Sequence, residues 1–494
     1  MIRRYKLKTV FPQKKFQINY EKDLTEEQLP IVTSSGGPVL VIAGAGSGKT
    51  RTITYRVAYL VESGIAPDRI LLVTFTNKAA REMIRRVENL LKINLKHLWA
   101  GTFHHIGNMI LRHHARVLGY KENYAILDEA DSKDLLEACI PELGKKIEKR
   151  MFPKGDVLKD ILSFAINSRV SIEESVLTKA SHFVDLIPDI NKIAEIYERR
   201  KKKQNLMDFD DLLLNWDRLL KENKEIKEKY AKKFLHTLVD EYQDTNVIQA
   251  EIIDNLASVN RNVMVVGDDS QSIYSFRGAY FKNIIEFPKR YPDVKIYKLE
   301  INHRSTPQIL NLANESIKQA KYRFEKKLKA VKKGGVKPGL APLSDIYEQA
   351  AFVAQRILEL RDQGVPLSQI AVLYRSHYHS LELQMELMRM GIPFVVRSGL
   401  RFFEEAHIKD VLAHLKIFHN PLDELAWKRV LKLMPGIGIR LSDKIWKFLS
   451  ASGDSLSAIK SDRLAKELPS AAKDSLADLV SLLRILGKLL DSPA

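Results

Sequence analysis

The sequence predicts an α/β protein built on parallel sheets and interrupted by helical insertions. Three observations carry that reading. From about Leu24, short β-branched runs alternate with helical periodicity. Between His105 and Asn205 the strand signal fades and amphipathic helical patterns such as Ile190 to Arg200 dominate. A second α/β rhythm begins near Val294, and after about Arg397 the chain turns helical again.

Taken in order, buried strands are read at Val39 to Ile42, Ile70 to Thr74, Leu235 to Val239 and Val263 to Val266, each followed by polar residues and a helix-like stretch. Val294 to Leu299 and Ile370 to Tyr374 are read as strands of a second sheet, with a helix over Glu348 to Leu360 between them. Lys326 to Pro342, rich in Lys, Gly and Pro, reads as an exposed loop within that second sheet domain. No internal repeat is present, which argues against a solenoid. The expected domains are therefore a basic arm over 1–23, a first sheet domain over 24–104 and 206–293, and a helical insertion over 105–205. A second sheet domain over 294–396 and a further helical insertion over 397–494 complete the division.

The 494 residues carry 79 Lys+Arg against 61 Asp+Glu, a formal net charge of +18 that favours a polyanionic partner such as nucleic acid. With 45% hydrophobic and 28% charged residues the chain is globular rather than disordered or fibrous. A single cysteine, Cys139, excludes a disulfide framework and cysteine-rich metal sites, and points to a reducing compartment. No run approaches the roughly 18 apolar residues of a membrane span, and no secretory leader follows the basic N-terminus, so the expectation is a soluble, cytoplasmic protein without a membrane partner.

Gly44-Ala45-Gly46-Ser47-Gly48-Lys49-Thr50 leaves a buried strand and opens a helix, the context a phosphate-binding P-loop requires. The glycines let backbone N–H groups wrap phosphates, Lys49 reaches the β- and γ-phosphates, and the Thr50 hydroxyl ligates magnesium. The first glycine of the usual pattern is Ala43 here, small enough to allow the turn. Asp240 and Glu241 end an apolar strand, where open α/β sheets place ligands. Asp240 suits the magnesium ion, and Glu241 suits polarisation of an attacking water, which argues for ATP hydrolysis. The chain leaves the next strand, Val263 to Val266, through Gly267-Asp268-Asp269-Ser270-Gln271 into Tyr274, Phe276 and Arg277, setting an amide beside the nucleotide and aromatics just beyond it. A GTPase reading is disfavoured, because Asn77-Lys78 is followed by Ala79-Ala80 without a guanine-reading aspartate.

These motifs, with Leu24-Thr25-Glu26-Glu27-Gln28, Thr74 to Ala80, Gly101-Thr102-Phe103-His104, Met207 to Leu212, Asp240 to Asp244 and Asn302-His303-Arg304-Ser305, are in family order. The chain resembles the UvrD/Rep/PcrA group of superfamily 1 DNA helicases. The resemblance implies RecA-like P-loop domains, the first complete and the second partial, with ATP and Mg2+ as cofactors. It implies that Gln28 and Arg51 hold the adenine side of ATP, that Gln271 senses the γ-phosphate, and that Arg304 is an arginine finger worth about 10³ to 10⁵ in rate. His303 stands where the family usually has Tyr, and an imidazole offers less stacking area.

The same resemblance implies single-stranded DNA across the sheet tops, facing Phe75, Asn77, Thr102, Phe103, His104, Tyr274, Phe276 and Arg277. Tyr374-Arg375-Ser376 would extend that track, and Gly436-Ile437-Gly438 matches a duplex-gripping loop. The implied activity is 3′ to 5′ translocation and unwinding at single/double-strand junctions in repair or replication restart. Repair or replication proteins would be partners, in a bacterial-type, nucleoid-associated cytoplasm. Two alternatives stay open at this point: the helicase portion of a recombination nuclease, and an ATP-dependent DNA-binding module that does not unwind. Nothing between Arg397 and Ala494 matches the family's last two motifs. The expectation is a second sheet left incomplete, poor unwinding by this chain, and a tendency to associate through exposed edges.

Overall fold

The computed structural model describes residues 16–144, 152–275, 278–321, 323–397, 406–461, 463–464 and 468–490. These form two compact units, one within 1–335 and 413–494, the other within 336–412.

The larger unit is organised by a parallel sheet. Its strands β1 (Val39–Ala43), β2 (Ile70–Thr74) and β3 (Trp99–Thr102) come first along the chain. A two-residue parallel pair, β4 (Ala125–Ile126) with β5 (Leu206–Met207), brackets the helical insertion. The sheet then resumes with β6 (His236–Val239), β7 (Val263–Gly267) and β8 (Lys295–Leu299), giving the order β3-β2-β6-β7-β1-β8. The continuous apolar runs follow from burial on both faces. Leu40, Ile42, Leu71, Val73, Val263 and Val265 enter one core, whereas Val39, Val41, Ile70, Leu72, Met264 and Val266 enter the other. Trp216, from the helix Phe209–Glu222, is fully buried in the first core.

The membership of β8 corrects an expectation. Its residues pair parallel with β1 from Val39↔Lys295 to Ala43↔Leu299, so this strand is the edge of the first sheet and not the start of a second. The reason is a free edge on β1 that matches β8 in length. After β8 the chain makes β9 (Ile301–Asn302), which pairs with β10 (Lys329–Ala330) as a separate parallel ladder.

The insertion has its own core, formed by the helices Glu129–Cys139, Gly155–Ser168 and Ile187–Lys203. It is tied to the sheet by buried charge. Asp208 caps the helix Phe209–Glu222 in a reciprocal capping box with Asp211, and Lys201, 4% exposed, bridges both carboxylates at 3.1 and 2.6 Å. Removing Lys201 would take the cation from the buried Asp211, while Asp208 kept Lys159 at 3.1 Å, a loss of about 3 to 5 kcal/mol. Residues 413–490 contribute helices with a third core around Trp427, Ile445 and Leu483. They dock on the insertion through Arg200 to Glu424 (2.5 Å), Gln204 Nε2 to Glu424 (2.7 Å) and Lys416 to Asp131 (2.8 Å).

The smaller unit pairs the helices Ile346–Asp362 and Leu381–Arg389 through Ala354, Ile357, Leu387 and Ile392. The strand expected over Ile370 to Tyr374 is not formed. None of those residues is assigned to a strand, and Leu373 is 94% exposed. An apolar run becomes a strand only where a partner supplies the ladder.

Candidate functional site

The loop between β1 and the helix Lys49–Glu62 turns through left-handed backbone at Gly46 (φ 74°) and Gly48 (φ 90°). Space requires glycine as much as torsion does. A Cβ on Gly46 would lie 2.7 Å from both Arg304 Cβ and Asn302 Nδ2, and one on Gly48 would lie 2.5 Å from Gln28 Nε2. The loop is therefore walled by the Gln28 segment on one side and by residues 302–304 on the other. Gln28, 2% exposed, aims Nε2 at the Ser47 carbonyl (3.4 Å) and takes a bond from Thr25 N–H. Arg51 donates to the Asp23 carbonyl (2.7 Å) and lies over the Tyr55 ring.

Lys49, at the first turn of its helix, extends to Glu241 Oε2 at 3.0 Å. Glu241 itself sits in left-handed backbone (φ 50°, ψ 46°), an uncommon state for a residue with a side chain and one that marks functional turns. Beside it, Asp240 is 4% exposed and its Oδ1 makes no hydrogen bond. Burial first, then the Glu241 charge, push the Asp240 carboxyl up to about 7 against the pull of Lys49. The same causes raise Asp244 to about 7, and its Oδ1 also lacks a hydrogen-bond partner. Buried carboxylate oxygens in that state call for a cation, and Thr50 opens on the same cavity.

Gln243, which the sequence reading passed over, organises this floor. Its amide donates to Glu241 (2.8 Å) while its carbonyl accepts Asp268 N–H (2.9 Å). Gln271 donates to Asp268 Oδ2 at 2.6 Å. Asn302 closes the other wall: it donates to the Ala45 carbonyl at 2.5 Å and accepts from Arg304 N–H and Ser305 N–H at 2.9 and 2.7 Å. His303 N–H donates to the Gly46 carbonyl at 3.0 Å, so the backbone of His303 and Arg304 lies directly on the phosphate loop.

A cavity of about 450 Å³ runs from Thr50, Asp240, Glu241 and Gln271 to Phe75 and Tyr274. The profile of the UvrD/REP helicase N-terminal domain matches residues 24–292, and that of the UvrD-like helicase C-terminal domain matches 297–467. The chain belongs to the UvrD/REP helicase family. The ATP-dependent DNA helicase PcrA of Bacillus subtilis (strain 168) is 36% identical over 433 residues, covering 87% of this chain and 58% of the relative. PcrA of Staphylococcus epidermidis (strain ATCC 12228) is 35% identical over 429 residues, and PcrA of Staphylococcus aureus (strain Mu50) 35% over 430, each with 86% of this chain and 58% of the relative covered. The chain thus spans 58% of the length of these relatives.

Of the residues that the UvrD/REP resemblance assigns to DNA, Phe75 and Tyr274 line the far end of this cavity. Phe75 is 38% exposed and its ring lies 4.9 Å from that of Tyr274, while Asn77 is exposed at the start of the helix Asn77–Leu91. Thr102 caps the next helix by accepting from His105 N–H. His104 stands edge-on to Phe209, and burial lowers its pKa despite the opposing Asp210 charge.

Phe103 corrects an expectation. It is 5% exposed and packs in the first core with Ile106 and Ile110, on the inner face of the helix Phe103–His114, so its ring is not available for stacking bases. The i, i+3, i+7 spacing of these three residues held that signal. Phe276 and Arg277 lie outside the described residues. Gly436 (φ 79°) and Gly438 are exposed in the turn before the helix Ile439–Ala451, on either side of buried Ile437.

Lys326 is a further correction. The Lys-rich stretch was expected to be an exposed loop, yet Lys326 is buried against Asp268 and Asp269, because two adjacent buried carboxylates require a cation. No helix among the described residues is long and apolar enough to cross a membrane.

Proposed function

We propose that this chain binds ATP with magnesium, hydrolyses it, and uses the cycle to step along single-stranded DNA and unwind duplex in repair or replication restart. The observation that carries the reading is the cavity joining Glu241, the ion-pair partner of Lys49, and the unpartnered Asp240 oxygen to the Phe75–Tyr274 ring pair. Thr50 and Asp240 would hold Mg2+, which would supply positive charge to counter the charge developing in phosphoryl transfer.

Lys49 leaves Glu241 for the β- and γ-phosphates, which frees Glu241 to orient and deprotonate the attacking water. Gln271 meets the γ-phosphate, and Arg304 counters the charge that develops on it. Gln28 and Arg51 flank the adenine, with His303 stacking where the family has Tyr. Phe75 and Tyr274 supply faces on which bases stack without sequence preference, with Asn77, Thr102, His104, Phe276, Arg277 and the Gly436–Gly438 turn along the DNA path. Polarity is 3′ to 5′ on the family pattern, and the setting is the bacterial cytoplasm.

The test is hydrolysis of ATP with and without single-stranded DNA, beside strand displacement on a duplex with a 3′ tail. Stimulated hydrolysis with displacement supports a helicase. Stimulated hydrolysis without displacement reduces the reading to a DNA-dependent ATPase, and no hydrolysis with retained DNA binding reduces it to a binding module.

A further inference from the structure

The Lys326 side chain is 5% exposed and pairs with the side chains of both Asp268 and Asp269, which are 4% and 1% exposed. Around this ion cluster the segment 324–331 fastens to the strand end at Asp268 and Asp269, to the phosphate loop at Gly44 and to the Ile301–Asn302 strand. Phe324 N–H donates to Asp269 Oδ2 at 2.9 Å. Leu328 packs where a Cβ on Gly44 would stand. Lys329–Ala330 pairs with Ile301–Asn302, and Val331 N–H donates to the Asn302 carbonyl at 2.9 Å. Asp268, meanwhile, is the residue that holds Gln271, through Oδ2 to the side-chain amide at 2.6 Å, and its N–H is held by Gln243, whose amide reaches Glu241.

We propose that Lys326 is a positioning residue for ATP hydrolysis, acting on Gln271 through Asp268 and joining that amide to the Asn302–Arg304 turn. The inference rests on the ATPase reading above. One physical effect supports it. A carboxylate held from one side by a buried ammonium has one orientation left, which aims the amide on its other oxygen. Because the same segment carries β10, a displacement of Gln271 by nucleotide is transmitted within a few residues to the backbone of Arg304.

The test compares Lys326→Met, Lys326→Arg and Gln271→Ala, singly and with Lys326→Met and Gln271→Ala combined, in single-turnover hydrolysis and in equilibrium titration with a fluorescent ATP analogue. Lys326→Met is expected to slow hydrolysis at saturating ATP by about 10- to 100-fold, the usual range for outer-shell positioning groups, with Kd changed less than about threefold. Lys326→Arg should recover to within about threefold, and in the Gln271→Ala background Lys326→Met should cost less than about twofold.

A folded Lys326→Met protein with a wild-type rate overturns the proposal, as does an undiminished loss in the Gln271→Ala background. If Lys326→Met melts below the assay temperature, Lys326→Met with Asp269→Asn relieves one buried charge and the same rate criterion decides. A wild-type chain whose hydrolysis equals that of Lys49→Ala refutes the ATPase reading and this proposal with it. Hydrolysis by wild type that is insensitive to Lys326 refutes this proposal alone.

Discussion

Replacing Asn302 by alanine isolates the contact between the arginine-bearing turn and the phosphate loop. Asn302 is 1% exposed and its side chain makes three bonds, to the Ala45 carbonyl and from the Arg304 and Ser305 N–H groups. At about 1 kcal/mol net each the loss reaches about 3 kcal/mol, and access of water to the exposed Arg304 turn lowers it to about 2 kcal/mol. Urea unfolding measures that loss. The functional effect follows from the same geometry, since Arg304 then lacks a fixed approach to the loop. Single-turnover hydrolysis should fall by about tenfold or more, toward the rate of Arg304→Ala. Adding Asn302→Ala to Arg304→Ala should then cost less than about twofold. Asn302→Asp keeps both acceptor bonds but sets a buried carboxylate oxygen against the Ala45 carbonyl, so it should destabilise by more than about 1 kcal/mol. A wild-type unfolding midpoint with a wild-type rate would refute the argument, as would equal rate losses in the presence and absence of Arg304.

Glu241→Gln should retain binding of ATP with magnesium and lose turnover, whereas Lys49→Ala should weaken binding itself; near-normal turnover in Glu241→Gln would remove it as the water-orienting group. Tyr274→Ala should cost about 1 to 3 kcal/mol of single-strand affinity in a fluorescence titration, leave ATP binding in place, and keep a salt slope of about −0.7 per neutralised phosphate. His236 on β6 is held neutral, its pKa pushed down to about 4 by burial and then by Arg56. As pH falls below about 6.5 the unfolded chain takes up this proton first, so stability is lost down to the folded pKa near 4. Allowing for partial solvent access, wild type should lose about 1 kcal/mol more than His236→Asn between about pH 7 and pH 5 in urea unfolding. Parallel pH dependences would show that His236 carries no such linkage.

What the sequence discloses and what it conceals divide along the range of the interactions. The phosphate loop, the strand ending in Asp240 and the helical insertion are local patterns: a fully buried β1, a glycine run, a change of period after His105. The side to which β8 pairs depends on a free edge some 250 residues earlier, which no local window contains. Lys326 was legible only as one lysine among several, because the two carboxylates that bury it sit 58 and 57 residues away. Gln243 stood in plain view between Glu241 and Asp244, and its place is set by the backbone of Asp268 on the neighbouring strand end. Phe103 was the opposite case, where the helical phase with Ile106 and Ile110 outweighs its position between the polar residues Thr102 and His104.

The placement of β6 between β2 and β7 has a consequence for how the chain reaches this state. Arg69, at the mouth of β2, donates to the carbonyl of Lys233, 164 residues further on. During synthesis β1, β2 and β3 therefore emerge long before the strand that completes their sheet, and loop closure across the insertion precedes any gain from that pairing. The insertion, with its separate core, can condense in the interval and shorten the effective loop by bringing β4 and β5 together. Lys201 and Asp208 then act as a latch between an early-folding segment and a late-completed sheet, and a chain that fails to set it leaves three apolar strands with open edges.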